Sequence, residues 1–231
     1  MDESQTHFSE ANVKNVAKKM KEISKLYEQL FTDLGAQIFS DIADLTDAYE
    51  IMGVCVNNIE KAVWAFGQHF PDSSIIACTK GCCHCCSFPI ECPPQVIVSV
   101  ARHIRKTWSS EDRQVLIQKL VQDVSDRQPP LNRAPCPLLD KKKLCSIYEN
   151  RPLSCRWFTS PDAGMCEKSV QDGRNVPQHP VGHRIYQVAT TMLLASEKNQ
   201  GRPYVQVPFI PSLLEILETQ KDTKMWRGYT L

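Results

Sequence analysis

The segment from Cys78 to Cys92 reads Cys-Thr-Lys-Gly-Cys-Cys-His-Cys-Cys-Ser-Phe-Pro-Ile-Glu-Cys and holds six of the chain's eleven cysteines. Cys78, Cys82, Cys85 and Cys86 follow the spacing C-x3-C-x2-C-C. Short loops of this kind fold several soft sulfur ligands toward one point, which is what a bound metal requires. A second group, Cys136, Cys145, Cys155 and Cys166, follows in a loop-rich stretch. Loops suit ligands because they bend to meet a metal that regular helices do not surround.

The start of the chain, Met-Asp-Glu-Ser-Gln-Thr-His, is polar and acidic where an export signal has a basic start and an apolar run. No apolar run approaches the roughly 18 residues of a membrane helix. A cytoplasmic protein without membrane contact is the expectation, and in a reducing compartment many cysteines point to metal or redox chemistry in place of disulfides. A net charge of +1 supplies no basic excess for nucleic acid. At 231 residues the chain is long enough for one domain with an appended helical arm.

The hydrophobic pattern predicts a mostly α fold with few strands. Val16, Met20, Ile23, Leu26, Leu30, Leu34 and Ile38 recur in steps of three or four, and Ile42, Leu45, Met52, Cys55, Ile59, Val63 and Phe66 continue the row. This predicts a helical hairpin or one long bent helix, with Gly35 and Ser40 as the places to break. Cys55 falls on the apolar row and reads as a buried packing residue, and Phe8, Trp64 and Phe66 read as packing residues too. His7 and His69 read as surface residues, and Pro71 to Ser74 as a turn. Pro93-Pro94 suits the first turn of a helix carrying Val96, Ile97, Val100, Ala101 and Ile104. Another helix starts after Ser109, whose hydroxyl can cap Asp112, and carries Val115, Leu116, Leu120 and Val124 up to Gln128-Pro129-Pro130. Val181 to Lys198 reads as a helix with Ile185, Val188, Ala189, Met192 and Leu193 inward. The stretch from Tyr204 to Pro211 reads as extended, Ser212 to Gln220 as a last helix, and the tail beyond as frayed. The division is therefore an N-terminal amphipathic region, 1–72, and a cysteine-bearing domain with C-terminal helices, 73–231.

Cys78-Thr-Lys-Gly-Cys82-Cys-His-Cys85-Cys86 with Pro93-Pro94, then Cys136-Pro-Leu-Leu, Cys145-Ser-Ile-Tyr-Glu-Asn-Arg-Pro and Cys155-Arg156, resembles the zinc- or iron-chelating cysteine-cluster family called YkgJ-type. The resemblance spans about residues 78 to 170 and leaves the N-terminal helices uncovered. It implies eight ligand-type cysteines: Cys78, Cys82, Cys85, Cys86, Cys136, Cys145, Cys155 and Cys166. Cys83 and Cys92 are additions to the family pattern. Similar clusters occur in proteins called iron-sulfur oxidoreductases and in flagellin lysine N-methylases. Cys78, Cys82 and Cys85 also fit the C-x3-C-x2-C arrangement that radical S-adenosylmethionine enzymes resemble, but no αβ repeat follows to build a barrel.

One tetrahedral zinc is saturated by four ligands at about 2.3 Å from sulfur, so eight thiolates ask for two ions, or for a cluster with supporting thiols. Adjacent cysteines such as Cys85 and Cys86 diverge and reach different metal ions more readily than one. The expectation is iron, held as an iron-sulfur cluster by sulfurs of both groups in a shared site, with a redox role open to it. The alternatives are zinc sites that staple the loops of an interaction module, and a metal-dependent modifying enzyme. Arg151 and Arg156, with Lys80, would offset surplus thiolate charge, while Tyr148 reads as a packing residue. His84 reads as exposed or supporting, and His103, His179 and His183 carry no ligand spacing. No phosphate loop, nucleophile elbow, H-E-x-x-H or dinucleotide fingerprint is present, so no reaction is assigned. The N-terminal row is long enough to serve self-association or a protein partner.

Overall fold

The computed structural model of the chain describes residues 9–69, 76–219 and 225–230. Phe8, His7, the stretch from Pro71 to Ser74 and Gln220 lie outside them. Eight α-helices make up most of the described residues: α1 (Glu10–Ile42), α2 (Ala48–His69), α3 (Pro94–Thr107), α4 (Ser110–Asp126), α5 (Leu153–Trp157), α6 (Ala163–Asp172), α7 (Pro180–Asn199) and α8 (Phe209–Glu218). Among the described residues, strand is limited to two short antiparallel pairs. In one, β1 (Glu91–Cys92) meets β2 (Val207–Pro208), with Cys92 opposite Val207; in the other, β3 (Met225–Trp226) meets β4 (Tyr229–Thr230).

The N-terminal region is a helical hairpin, but its turn falls at 43–47, past both Gly35 and Ser40. α1 runs unbroken through Gly35 and Ser40. Gly35 serves packing: a Cβ there would stand 3.3 Å from the Val188 side chain of α7, so its small size lets two helices approach closely. The turn falls at 43–47 because its polar groups find partners there. Asp47 caps α2 through the amides of Tyr49 (2.9 Å) and Glu50 (3.0 Å) and is paired with Arg102 of α3. Gln200, just past α7, donates to the carbonyls of Ala43 (3.2 Å) and Leu45 (2.7 Å). Phe31 stacks on Phe66 at 5.3 Å, which fixes the hairpin's other end.

α3 is the central element. Its residues from Pro94 to Ala101, with Ile104, are buried, and two full turns withdrawn from water on every side must be enclosed by their neighbours, while the charged residues gather in the helix's last turns. α2 and α8 pack on it, α7 packs on α1 and α2, and α4 packs on α8. Ser109 caps α4 through Asp112, and α4 ends ahead of the prolines, as its sequence predicts. Leu116 and Leu120 face the core, whereas Val115 and Val124 are exposed. Cys55 is buried in the shared core. Trp64 is exposed, contrary to the expectation of packing, because it lies on the face of α2 that no other helix covers, whereas Phe66 two residues on still meets Phe31.

The tail is anchored where the sequence suggested fraying. Trp226 and Tyr229 are buried in the core, and Tyr229 donates its hydroxyl proton to Glu197 at the end of α7. Arg202 donates to the same carboxylate (3.0 Å) and to the Tyr229 hydroxyl (2.9 Å). Glu197 is fully buried, so its charge depends on these donors. Arg202→Ala should lower the unfolding free energy by about 3–5 kcal/mol, the usual effect of stranding one member of a buried pair. Denaturant titration of this variant beside Arg202→Lys, which keeps one donor, checks it.

Candidate metal centre

Backbone bonds close the first cysteine loop onto itself and onto a distant turn. Gly81 adopts φ +90°, a left-handed conformation that glycine takes without strain, and the amide of Cys82 returns to the carbonyl of Thr79 (3.0 Å). A tight 3-10 turn over His84–Ser87 follows, in which Cys86 N donates to Cys83 O (3.0 Å) and Phe88 N to Cys85 O (3.1 Å). Upstream, Ala77 N donates to Ser160 O (2.9 Å) and Ser160 N to the Cys78 sulfur (3.5 Å). Cys78 is thereby tied to the entrance of α6, which carries Cys166.

The second group arrives by a separate route. Cys136 N donates to Cys86 O (2.9 Å) and Ala134 N to Ser87 O (3.3 Å), so 134–136 runs beside the 3-10 turn. Cys145 closes a small loop, paired with Leu139, in which the Asp140 carboxylate accepts the amides of Lys142 (2.7 Å) and Leu144 (2.8 Å). Cys155 and Cys166 sit on helices, α5 and α6, and not on the loops expected of them. α6 starts with Asp162 accepting from Met165 N (2.9 Å) and packs against the 3-10 turn.

Arg127 joins the two routes. Its guanidinium grips Asp123 with Nε (2.7 Å) and Nη2 (3.0 Å), and its remaining donors reach the carbonyls of Ser87 (3.0 Å), Asn132 (3.1 Å) and Ala134 (3.0 Å). Both side chains are largely withdrawn from water. One planar cation thus holds three carbonyls from two separate segments, a task suited to arginine's fixed fork of donors. The sequence analysis passed over it, although an aspartate four residues ahead of an arginine at a helix end was a visible signal.

The sulfurs fall into two overlapping neighbourhoods, each drawing on both groups: Cys92 also acts on Cys155, Cys155 on Cys85, and both Cys86 and Cys82 on Cys83. Cys86, Cys136, Cys145 and Cys155 all act electrostatically on one another. Cys166 interacts with Cys78 and Cys82, and Cys82 in turn with Cys85. Cys85 donates a hydrogen bond to Cys86, which raises the Cys85 pKa and lowers that of Cys86, so the adjacent pair links the two sets. Burial pushes Cys136 up to about 12 and Cys155 well above the usual thiol range, and neighbouring thiols add to both shifts. Burial raises Cys145, against which the charge of Arg151 works, and the same charge adds to the lowering of Cys86. Arg151 lies over the Tyr148 ring at 3.9 Å, while Arg156 braces the Arg151 carbonyl (3.3 Å) and stands 3.8 Å from Glu60.

The remaining candidates have other surroundings. Cys92 is buried with its sulfur 3.5 Å from the Ser154 hydroxyl, on the wall of an open cleft of about 720 Å³ that Phe88, Trp157 and Phe158 also line. Cys55, pushed up to about 12 by burial alone, lies in the helical core. His179 caps α7 by accepting from Gly182 N (3.2 Å), and His183 stacks on Trp157 at 4.3 Å. All eleven cysteines are free thiols. Among the described residues no three His, Cys, Asp or Glu side chains are placed so that they could hold a metal ion as they stand. The donor chemistry nonetheless fits a soft cation: several thiols gathered out of water with one guanidinium cannot all ionise without added positive charge.

The fold and this thiol set define a helical protein with a cysteine-rich metal-binding segment. Residues 77–175 match the family model CxxCxxCC, described as "Putative zinc- or iron-chelating domain". No curated protein and no solved structure matches the chain. Among the described residues no helix is long and apolar enough to cross a membrane.

Replacing Arg127 by alanine should strand the buried Asp123 carboxylate, lower stability by about 3–5 kcal/mol, and release 132–136 from the 3-10 turn. Bound metal per chain should fall with it although no ligand is altered. Elemental analysis of Arg127→Ala beside Asp123→Asn/Arg127→Gln, which keeps neutral hydrogen bonding at both positions, separates the lost clamp from the stranded charge.

Proposed function

We propose that the chain is an iron-binding protein that holds an iron-sulfur cluster through cysteines of both groups, with a redox role. The observation supporting it is the interleaving: Cys86, from the first group, shares a neighbourhood with Cys136, Cys145 and Cys155 from the second. The ligands would be those four, with Cys78, Cys82, Cys85 and Cys166 forming the companion set. When bound, the metal supplies the positive charge that lets the buried thiols ionise. Arg151 offsets part of the thiolate charge, which raises the reduction potential of such a centre, and Arg127 keeps the two segments in register.

A second reading is two zinc ions, each with four cysteines and no catalysis. It is favoured by the separation into two sets, since four thiolates complete a structural zinc site. Protein purified anaerobically distinguishes them. Iron with acid-labile sulfide supports the first reading; zinc at two per chain with no sulfide refutes it in favour of the second.

Serine variants test the ligand assignment under either metal. Serine is a poor and normally protonated ligand, so Cys82→Ser, Cys85→Ser, Cys136→Ser or Cys155→Ser should cut metal per chain by at least half. Cys55→Ser should cost packing only, and Cys83→Ser and Cys92→Ser should retain most of the metal. Equal losses from Cys55→Ser and Cys136→Ser would show that metal content follows general stability and would overturn the assignment.

A further inference from the structure

α1 outruns the body that it packs against. Its buried residues are Phe31, Gly35, Ile38 and Ile42, all in its C-terminal half. Glu28, paired with Arg184 of α7 at 3.0 Å, marks where contact with the rest of the protein begins. Val13, Val16, Met20, Ile23 and Leu26 ahead of it, and Leu30 just past it, are each between 46% and 67% exposed. A row of large apolar side chains about 26 Å long therefore faces water.

The row has the spacing of a helix seam. Val13, Val16, Met20, Ile23, Tyr27, Leu30 and Leu34 follow alternate steps of three and four, the repeat that winds two helices around each other. Lys14, Lys18, Lys21 and Lys25 occupy the opposite side of the helix. The positions flanking the exposed seam, from Ala17 through Lys19 and Ser24 to Leu26, carry one charge. Nothing along the seam edge repels an identical helix.

We propose that this segment pairs with the same segment of a second copy of the chain, antiparallel, across a two-fold axis. The orientation follows from the fold. From Phe31 onward the same face of α1 is covered by α2 and α7, so a parallel partner would drive its own body into this one. Running antiparallel, Val13 meets the second copy's Leu30, Val16 its Tyr27 and Met20 its Ile23. Lys19 then lies beside the second copy's Leu26 and Ala17 beside its Ser24, with no like charges opposed. Pairing removes about 1,000 Å² of total surface from water, at the threshold for a biological interface and short of the roughly 1,200 Å² at which stable ones begin. Val63 and Trp64, exposed at the end of α2 that meets Phe31, add apolar surface where the second copy's helix would begin.

Light-scattering mass measurement of the full, metal-loaded chain over a range of concentrations tests the pairing. The wild type should have twice the chain mass. The double variant Met20→Glu/Ile23→Glu, altered at exposed positions, should have the monomer mass with unchanged helix content and unchanged metal. A photo-crosslinking side chain at position 13 should attach to the peptide containing Leu30 of the other copy. A monomeric wild type at every concentration overturns the proposal; if that monomer binds anionic vesicles, the face belongs to a membrane surface, and if it captures a different helical protein, to that partner. Crosslinks from position 13 to the peptide containing Val13 overturn the antiparallel arrangement.

Discussion

The buried guanidinium of Arg127 is the constraint on which the cysteine region depends. The two cysteine groups are separated by α3 and α4, and the stretch of 132–136 that brings the second to the first has little apolar surface of its own. A carbonyl taken from water without a donor is costly, and here three of them converge on one cation that is itself neutralised by Asp123. The two segments can run side by side out of water because this charge is present and paired. Helices α3 and α4 set the distance, and the arginine at the end of α4 closes it.

Such an arrangement assigns different duties to the two halves of the molecule. The helical core is held by apolar burial, with α3 enclosed and the hairpin and tail packed around it. The cysteine region instead holds its shape through turns, caps and backbone bonds, and leaves most of its sulfurs half-buried. Thiols in such surroundings are raised by desolvation and by one another, so the region stays short of positive charge until a cation arrives. If the region binds a metal as proposed, its folding should be coupled to that binding for this reason, whereas the apolar helical core should not need the ion.

Much of this was legible in the sequence, for identifiable reasons. The helical periods, the Ser109 cap and the prolines ahead of α3 and after α4 are local signals, and the structure follows them. Gly35 misled because glycine marks close approach as well as a break, and only the position of α7 separates the two. The exposure of Trp64 and the anchoring of Tyr229 depend on which faces other elements cover, information that no local pattern carries. Within the cysteine region, spacing identified the groups, but it could not reveal that Cys86 keeps company with Cys136, Cys145 and Cys155 while Cys78 and Cys82 lie with Cys166. That sorting follows from Ser160 and Arg127, residues outside the motif.

The same reasoning bears on the adjacent pair Cys85 and Cys86. Consecutive residues in a tight 3-10 turn cannot both aim at one point without strain, and their neighbours differ in part: Cys86 belongs with the second-group sulfurs, while Cys85 interacts both with Cys155 of that group and with Cys82 of its own. The pair is therefore a junction between two sets of thiols. A metal position on either side would share this short stretch of backbone, so a change of charge at one set would be felt at the other through the electrostatics of two adjacent sulfurs. Two unrelated staples would have no need of such a junction, and a centre that moves electrons would benefit from it, which is the physical ground for placing the redox reading ahead of the structural one.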